Sequence, residues 1–432
     1  MIYAEAIQFL YSLGLFGARF GLETTRTLAA RAGNPQDQLR FIHVAGTNGK
    51  GSTCAMLESI YRAAGLRVGL FTSPHLVSFR ERIQVNRQLI SEADVVRFTA
   101  EMRSWLEAFP ADTHPTLFEV VTVMALRYFV EQRCDLVIWE TGLGGRLDAT
   151  NIVTPLASVI TNIQFDHQQW LGNMLAEIAA EKAGIIKPGV QVVTATDAPE
   201  ALAVIQAVAK ERFAPLTIVD AHHASRITHH ASLPGEHQRL NAALASVTVG
   251  VLQSRLAVRE EAIRQGLETV HWPGRLQLVT RPNGQRMLLD GAHNVAGAEV
   301  LRAALQNDPR LSSRPITLIL GILGDKDWRA MCGILAPQAS RVLLVAVASE
   351  RTANPQELVP LCHAANPQAR VVVCDSLPHA LAVSERDPFV VIAGSLYLIG
   401  ETLELLNLGP VPSADEKPLN HWQPASPPAK TL

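Results

Sequence analysis

The sequence contains few cysteines, almost no net charge and no long apolar run. Its five cysteines are scattered over 432 residues without a C-x-x-C pair, so reduced thiols in a cytoplasmic protein are expected, rather than disulfides or a zinc site. A net charge of −2 offers no basic stripe for nucleic acid. No apolar stretch approaches the roughly 20 residues that cross a bilayer, and no basic segment opens a signal peptide. Nucleic acid and membrane are therefore not expected as partners.

The chain does contain alternating strand-like and helix-like segments. With 48% hydrophobic and 18% charged residues it has ample material for packed cores, and its length favours two domains. The alternation is typical of an α/β protein with a mostly parallel sheet covered by helices. The predicted strands of the first series are 41–45, 67–71, 135–139, 156–161 and 190–194, and the predicted helices are 52–64, 117–132, 173–183 and 199–211.

A second alternating series follows the segment Trp272-Pro273-Gly274-Arg275. Its predicted strands are 286–290, 315–320, 341–346, 370–374 and 389–393. We therefore predict one domain over 1–272 and a smaller α/β domain over 273–408. The proline and small polar residues of 409–432 predict a disordered tail.

The most informative segment is FIHVAGTNGKGST at 41–53, where a buried strand leads through a glycine-rich turn into a helix expected to start near Ser52. Glycines let the backbone approach an anion, and the helix N-terminus adds positive partial charge. Lys50 can reach the outer phosphates of a nucleotide, and the hydroxyl of Ser52 or Thr53 can hold Mg²⁺. The spacing differs from the usual Walker A motif, because the first glycine lies only three residues before Gly49 and another follows Lys50. The segment predicts a variant phosphate loop.

Three further residues have both an ordinary and a functional interpretation. Glu140 ends a predicted strand, where a Walker B acid would approach Mg²⁺, although a surface acid at a strand exit is the alternative. The glycines after it do not fit G-x-G-x-x-G, so dinucleotide binding is not indicated. His167 is a candidate Mg²⁺ ligand or proton carrier, but imidazole is an uncommon Mg²⁺ ligand, so the residues alone favour an ordinary loop histidine. Lys182 is, from the residues alone, typical of a solvated helix lysine.

The ordered set of motifs resembles that of the folylpolyglutamate synthases/dihydrofolate synthases, a folate-pathway branch of the Mur ligase superfamily. The resemblance extends to about residue 405. It rests on HVAGTNGKGST at 43–53, TSPHLVSFRERI at 72–83, FE at 118–119, ETGLGGRLDATN at 140–151, ITNIQFDH at 160–167, EKAGIIK at 181–187, LPGEHQRLNAALA at 233–245, PGR at 273–275, LDGAHN at 289–294 and GDKD at 324–327. It implies a Mur-ligase-like fold, in which a P-loop parallel-sheet ATPase domain precedes a smaller Rossmann-like α/β domain.

The resemblance also implies an activity. Enzymes of this family are ATP-dependent ligases that add L-glutamate to dihydropteroate or to reduced folates, through an acyl phosphate on the pteridine-bearing acid. We expect both activities here, with ATP as co-substrate and Mg²⁺, as two ions, as cofactor. The expected partners are these small-molecule substrates alone, in a monomer.

Positions that match the family pattern imply the site residues. The implied ATP contacts are Gly46, Thr47, Asn48, Gly49, Lys50, Gly51, Ser52, Asn241, Arg275 and Asp290. The implied metal ligands are Ser52, Ser73, Glu140, His167 and Lys182, the last of these carbamylated by CO₂, and the implied catalytic residues are Lys50, His167 and Lys182. Because Arg275 and Asp290 belong to the linker and the second domain, domain closure around the nucleotide is expected.

The implied pteroate site lies on the first domain. Its residues combine an aromatic surface with backbone and polar groups, which suits a flat heterocycle. They are Gly17, Ala18, Arg19, Phe20, Thr116, Leu117, Phe118, Glu119, Leu147, Asp148 and Ala149. Without the resemblance, Phe118 is typical of the core face of an amphipathic helix.

Two other functions have to be weighed. A Mur-type cell-wall ligase shares the ATP chemistry but acts on a UDP-muramoyl substrate, and the motifs TSPHLVSFRERI and LGGRLDATN favour the folate branch instead. A P-loop nucleotide switch of the GTPase type needs a base-reading N-K-x-D element, which the sequence lacks.

Overall fold

The structure is a computed structural model that describes residues 1–16, 21–110, 113–227, 232–311, 315–411, 413–414 and 416. The density of contacts divides the chain into two units. The first comprises Met1–Ala231, Leu240–Val270 and the described residues after Val411, and the second comprises Ser232–Arg239 and His271–Val411. The roles predicted for 1–272, 273–408 and 409–432 remain predictions.

The first unit contains an eight-stranded, mostly parallel sheet. Its strands are β1 (Phe41–Ala45), β2 (Val68–Phe71), β3 (Ile83–Val85), β4 (Gln88–Leu89), β5 (Leu136–Glu140), β6 (Ala157–Ile160), β7 (Gln191–Thr194) and β8 (Leu216–Ile218). They lie in the order β4-β3-β2-β5-β1-β6-β7-β8, and only the pairs β2–β3 and β3–β4 are antiparallel. The central strands β1, β2 and β5 are buried throughout, as their continuous apolar runs require in a sheet covered on both faces.

The helices of this part of the chain are α1 (Tyr3–Ser12), α2 (Glu23–Arg31), α3 (Lys50–Ala63), α4 (Glu92–Leu106), α5 (Leu117–Glu131), α6 (Gln168–Leu171), α7 (Leu175–Ala183), α8 (Pro199–Glu211), α9 (Ala221–Ser225), α10 (Glu236–Val251) and α11 (Glu260–Thr269). The first residues of α10, up to Arg239, are assigned to the second unit. One core cluster joins α5 to β1, β2 and β5, and a second joins α7 and α8 to β6 and β7. The strands of the sheet's central part therefore pack into two apolar cores, one that includes β1, β2 and β5 and one that includes β6 and β7.

The second unit contains a six-stranded sheet with its own core. Its strands are β9 (Gln277–Thr280), β10 (Arg286–Leu289), β11 (Thr317–Leu320), β12 (Arg341–Leu344), β13 (Arg370–Val373) and β14 (Phe389–Ala393), in the order β13-β12-β11-β14-β10-β9. Only β9 is antiparallel to its neighbour. The helices are α12 (Val295–Asn307), α13 (Trp328–Leu335), α14 (Pro355–Ala365), α15 (Leu377–Val383) and α16 (Leu396–Leu405). This parallel-rich α/β arrangement confirms the predicted fold class.

The predicted strands and helices correspond to observed elements, with shifts of a few residues at their ends. One shift affects the site, because the helix expected near Ser52 already begins at Lys50. Gly49 adopts a left-handed conformation just before it and so ends the loop earlier. The sequence patterns had not identified the helices α1, α2, α4, α6, α9, α10 and α11, the short hairpin β3–β4 or the strands β8 and β9. Among the described residues, no helix is both long and apolar enough to cross a membrane.

Described residues of the predicted tail pack on the first unit, where Ser413 donates to Glu92 at 2.7 Å and Ala414 contacts the core. Glu416 is 2% exposed, and its carboxylate accepts hydrogen bonds from the Tyr3 hydroxyl, at 2.9 Å, and from the Phe79 amide. Residues 412, 415 and 417–432 lie outside the described residues, and the disorder expected for the tail as a whole remains a prediction.

Candidate active site

Several predicted site residues of the first unit lie at the carboxyl ends of neighbouring strands. In the order β2-β5-β1-β6, these ends lead to Ser73, Glu140, Gly46 and Thr161. Ligands of parallel α/β sheets bind at this edge, because loops from adjacent strands converge there. The topology thus places side chains that are up to about 120 residues apart in sequence along one edge.

The phosphate loop depends on two glycines with positive φ angles. Gly46 has φ +146° and Gly49 has φ +84°. A Cβ at Gly46 would lie 1.8 Å from Oγ1 of Thr161, and one at Gly49 would lie 2.6 Å from Oδ1 of Asn241. Asn241, a predicted ATP contact, is therefore beside the loop. Neither glycine position has room for a larger residue, so the loop conformation is set by close approach as well as by φ.

The segment after β6 braces the loop from one side. The amides of Thr47 and Asn48 donate to the Asn162 backbone oxygen at 2.9 Å and to its side-chain oxygen at 2.8 Å. The Thr161 hydroxyl donates to the Asn48 carbonyl at 2.6 Å. The first helical bond of α3 runs from the Thr53 amide to the Gly49 carbonyl, so the amides of the preceding turn form the helix N-terminus. This N-terminus is the part of the loop best suited to bind phosphate.

Two lysines meet at one carbonyl of the loop. Lys182 Nζ donates to the Gly46 carbonyl at 2.8 Å, and Lys50 Nζ lies 3.2 Å from the same oxygen. Lys182 is 4% exposed, which differs from the solvated lysine that its sequence context alone had suggested. Burial, together with the charge of Lys50, lowers the pKa of Lys182 to about 7. A substantial fraction of its amine is therefore neutral near physiological pH.

Glu140 ends β5 as a buried carboxylate. It is 4% exposed, and its Oε2 accepts the Ser73 amide at 3.1 Å. Two of the predicted metal ligands, from the ends of β5 and β2, are thus in direct contact. A third, Ser52, is buried in the first turn of α3.

His167 lies just before α6, with a left-handed φ of 51° and a side chain that is 40% exposed. Its Nε2 is 3.9 Å from Oδ1 of Asp166, and its amide donates to the same oxygen at 2.8 Å. Asp166 also raises the pKa of Lys182, against the larger effects of burial and Lys50. The segment after β6 thus contributes an acid near Lys182 that sequence reasoning had passed over.

The ligand atoms at this sheet edge fit Mg²⁺ best if Lys182 is carbamylated. Ser52, Ser73 and Glu140 supply oxygen atoms, which Mg²⁺ prefers. The described residues contain no cluster of three or more His, Cys, Asp and Glu side chains arranged to hold a metal ion. An unmodified Lys182 adds a cation or a neutral amine, whereas a carbamate at Nζ would add a carboxylate. The ligand set therefore fits the ion best with Lys182 modified.

The predicted pteroate residues form two adjoining features. Phe118 on α5 is half-buried and packs against the core, and a Cβ on Gly142 would lie 2.5 Å from its ring. Thr116 caps α5, and Glu119 accepts the amide and hydroxyl of Thr116 at 2.8 and 2.9 Å. Glu119 is thus a capping residue, and Phe118 is both core and surface. The other predicted contacts, Gly17, Ala18, Arg19 and Phe20, lie outside the described residues.

The loop after β5 rests on the end of α7. The Arg146 amide donates to the Glu181 carbonyl at 2.7 Å, and a Cβ on Gly145 would lie 2.9 Å from the carbonyls of both Glu181 and Lys182. This loop carries the predicted pteroate residues Leu147, Asp148 and Ala149. The loop after β5 is therefore packed against the backbone of the helix end that carries Lys182.

In the second unit, Asp290 follows β10 and is buried. It accepts the amides of Leu276 at 2.8 Å and Ala292 at 3.0 Å. Burial raises the pKa of Asp290, and the nearby Arg275 opposes that rise. These two residues therefore lie close together, as their common assignment requires, and their contact with ATP remains a prediction.

Replacement of Gly49 by alanine is expected to weaken nucleotide binding by roughly tenfold or more, since the new Cβ meets Asn241 in a backbone region that L-residues avoid. Calorimetric titration with ADP measures the effect. The matched control is Gly250→Ala in α10, where no atom beyond the adjacent residues and the helix's own backbone lies within 4 Å of the new Cβ. Equal ADP affinity in the Gly49 variant and the wild type would contradict the proposed loop.

Two known domain families match this chain. The Mur ligase middle domain matches residues 44–253, and the Mur ligase glutamate ligase domain matches residues 274–396. The dihydrofolate synthase/folylpolyglutamate synthase of Bacillus subtilis is 36% identical over 426 residues, which cover 92% of this chain and 98% of that protein. The chain belongs to the folylpolyglutamate synthase/dihydrofolate synthase family. The family predicted from the motifs is confirmed.

Solved structures of this family share the fold. Folylpolyglutamate synthase from Thermotoga maritima has a TM-score of 0.81 and 33% identity, with coverage of 95% of this chain and 98% of that one. E. coli FolC in complex with DHPP and ADP has a TM-score of 0.82 and 31% identity, with coverage of 94% and 98%.

Within this family site, sequence reasoning missed the residues that hold others in place. Thr161, Asn162 and Asp166 all follow β6, yet only His167 had been singled out in that motif. Their signal was the run of polar residues directly after a buried strand, at the edge where ligands bind.

Proposed function

We propose that the protein is an ATP-dependent ligase that joins L-glutamate to dihydropteroate, forming dihydrofolate, and to reduced folates, forming polyglutamates. One observation carries this proposal for a chain of this family. The phosphate loop and the predicted pteroate surface at Phe118 lie at the same edge of the sheet. The phosphate loop follows β1, and the Phe118 surface adjoins the loop after the neighbouring strand β5. A nucleotide and a pteridine-bearing acid bound at these two places are neighbours.

The chemistry requires an anionic carboxylate to approach an anionic phosphate. A carboxylate oxygen of the folate acid attacks the γ-phosphorus, and the bond from that phosphorus to ADP breaks. The glutamate amine then attacks the acyl carbon and loses a proton, and phosphate leaves as the amide forms. Lys50 and the amides at the N-terminus of α3 neutralise charge on the transferred phosphoryl group. Catalysis here is mainly positioning and electrostatic stabilisation.

The residues proposed to hold Mg²⁺ are Ser52, Ser73, Glu140, His167 and carbamylated Lys182. Bound Mg²⁺ supplies positive charge to the phosphate oxygens. The carbamate forms when the neutral Lys182 amine attacks CO₂ and loses a proton, and the low pKa of Lys182 favours the amine form required. The remaining proposed ATP contacts are Asn241 in the first unit and Arg275 and Asp290 in the second.

An ADP-release assay with purified protein, ATP, Mg²⁺ and glutamate tests the function. We expect turnover on addition of dihydropteroate and, separately, of tetrahydrofolate, because both present the same glutamate-accepting chemistry to one site. Omission of glutamate is the control for uncoupled ATP hydrolysis. Turnover with a UDP-muramoyl substrate alone would contradict the folate assignment, and turnover with only one folate acid would limit the enzyme to one activity.

The proposed partners are these small molecules, and the proposed state is a cytoplasmic monomer. Sedimentation of the purified chain measures its oligomeric state.

A further inference from the structure

A buried hydrogen-bond chain connects the strand of the phosphate loop to the pteroate loop. His43 lies on β1, three residues before Gly46, and is completely buried. Its Nε2 is 2.9 Å from Oγ1 of Thr150, and this hydroxyl in turn contacts the Asp148 carboxylate. The ATP chemistry described above uses neither His43 nor Thr150.

The Asp148 carboxylate closes the loop after β5 on itself. Its Oδ2 accepts the Leu143 amide at 2.8 Å, and its Oδ1 accepts both the amide of Thr150, at 3.0 Å, and the Thr150 hydroxyl. One side chain thus joins the beginning of the loop to its end. With its oxygens occupied by these donors, the carboxylate has a fixed orientation.

The direction of each hydrogen bond follows from the number of available protons. Burial raises the pKa of Asp148, but hydrogen bonds from the Thr150 hydroxyl and from the Leu143 and Thr150 amides oppose that rise and favour the ionised form. An ionised carboxylate is an acceptor only, so the single proton of the Thr150 hydroxyl points to Asp148. Thr150 Oγ1 must therefore accept from His43, which requires a proton on Nε2. The other tautomer would leave Thr150 without a proton for Asp148 and would set two acceptors in close contact.

The surroundings of His43 agree with this neutral tautomer. Its Nδ1 makes no hydrogen bond within the described part of the chain, so a proton there would be a buried donor without an acceptor. Burial and the charge of Lys187 lower the pKa of His43 to about 3, so the ring is neutral at physiological pH. The backbone of Thr150 is also fixed, because Nε1 of Trp139 donates to the Thr150 carbonyl at 3.0 Å.

We propose that His43 and Thr150 are positioning residues that orient the Asp148 carboxylate and the loop at 142–149 for the pteroate moiety. The proposal rests on the proposed function, in which that loop binds the folate acid. Strand β1 thereby supports both substrates, through Gly46 on the ATP side and through His43 on the pteroate side. The role is specific, because it depends on donated protons and not only on the volumes of the side chains.

Steady-state kinetics of paired variants test this role. Thr150→Val removes the hydroxyl and keeps the shape, so KM for dihydropteroate is expected to rise roughly tenfold, while KM for ATP stays within about twofold. Thr150→Ser restores the donor and should return KM to near the wild-type value. His43→Leu should raise KM for dihydropteroate, and His43→Gln should bring it back towards the wild-type value. In the double variant Thr150→Val/His43→Leu, the two increases in KM should not add.

The control is Ser158→Ala, which removes an equally buried hydroxyl on the strand beside β1. Its hydroxyl donates to the Ile185 carbonyl and takes no part in the chain to Asp148. We expect unchanged KM values for it. An equal rise of both KM values in the Thr150 and His43 variants, or a serine variant as impaired as the valine variant, would show a packing role and overturn the proposal.

Nitrogen NMR of the histidine rings in the wild-type protein supplies a test independent of turnover. With the His43→Gln variant used for assignment, the ring should show protonated Nε2, unprotonated Nδ1 and no titration between about pH 5 and 8. A proton on Nδ1, or a titrating ring, would overturn the hydrogen-bond chain. If the wild type failed to use dihydropteroate, the proposed function would fall, while the ring spectrum would still decide whether this chain exists.

Discussion

Replacement of Lys182 by alanine is expected to lower kcat by about three orders of magnitude, the largest effect predicted for this protein. Its Nζ is held 2.8 Å from the Gly46 carbonyl of the phosphate loop, and the side chain is almost completely buried. Alanine lacks the Nζ amine on which the proposed carbamate forms. The variant therefore also lacks the negative charge that would face Mg²⁺. Single-turnover measurement of ADP formation reports this loss directly.

A short carboxylic acid should restore part of the activity of the Lys182→Ala variant. Acetate or propionate can occupy the space left by the side chain and replace the carboxylate of the carbamate. The control is Lys210→Ala, which removes an exposed lysine from α8 and should retain wild-type turnover. No rescue by carboxylic acids, combined with partial rescue by alkylamines, would indicate a catalytic ammonium group and contradict the carbamate.

The pH dependence has a defined sign. Only the neutral amine reacts with CO₂, and burial with the charge of Lys50 lowers the pKa of Lys182 to about 7. Incorporation of ¹³C-labelled CO₂ at Lys182 should therefore rise between about pH 6 and 8, whereas a lysine with an ordinary pKa would react appreciably only at higher pH. Carbon NMR of the labelled protein measures that rise, and absence of a carbamate signal at pH 8 would argue against modification.

Sequence reasoning could predict which residues lie together at one sheet edge, because strand ends can be predicted. Glu140 follows an apolar run long enough to be a buried strand, and parallel strands expose their carboxyl ends at one edge. The glycine-rich segment after the first strand identified the phosphate loop for the same reason. Such local patterns survive folding, because the residues that form the strand are also those that are buried.

Burial that arises from tertiary contacts could not be predicted in this way. Lys182 lies on α7 in a sequence typical of a solvated helix end, yet its side chain is buried and donates to the Gly46 carbonyl, while the loop after β5 packs on the backbone of this helix end. That packing depends on the close approach of Gly145 to the carbonyls of Glu181 and Lys182. Nothing in the spacing of 181–187 indicates which loop will lie on the helix, so only the family resemblance assigned this lysine a special role.

Phe118 shows how one residue can satisfy two interpretations. Periodicity placed it on the apolar face of a helix, and the resemblance placed it in the pteroate site. In the structure it packs against the core and lies over Gly142, while part of its surface stays open. A helix pattern predicts which face is apolar but not where that face ends. Phe118 lies at the border between the apolar face and the exposed surface of α5.

Glu140→Gln is expected to lower kcat by about two to three orders of magnitude while the fold remains intact. Glutamine has nearly the same shape, and its amide oxygen can still accept the Ser73 amide that now donates to Oε2 at 3.1 Å. What it lacks is the negative charge proposed to hold Mg²⁺. The Mg²⁺ concentration that gives half-maximal rate should therefore rise together with the loss of kcat.

The thermal midpoint separates this loss of charge from a loss of packing. Since the variant keeps the hydrogen bond and removes a buried charge, its melting temperature should equal or exceed that of the wild type. Glu211→Gln, at an exposed position in α8, is the control for a charge change on the surface and should alter neither quantity. Wild-type turnover in Glu140→Gln would refute the metal role. A fall in turnover matched by a fall in melting temperature would instead show that the carboxylate stabilises the end of β5, because only a residue that acts on the reaction lowers the rate without lowering stability.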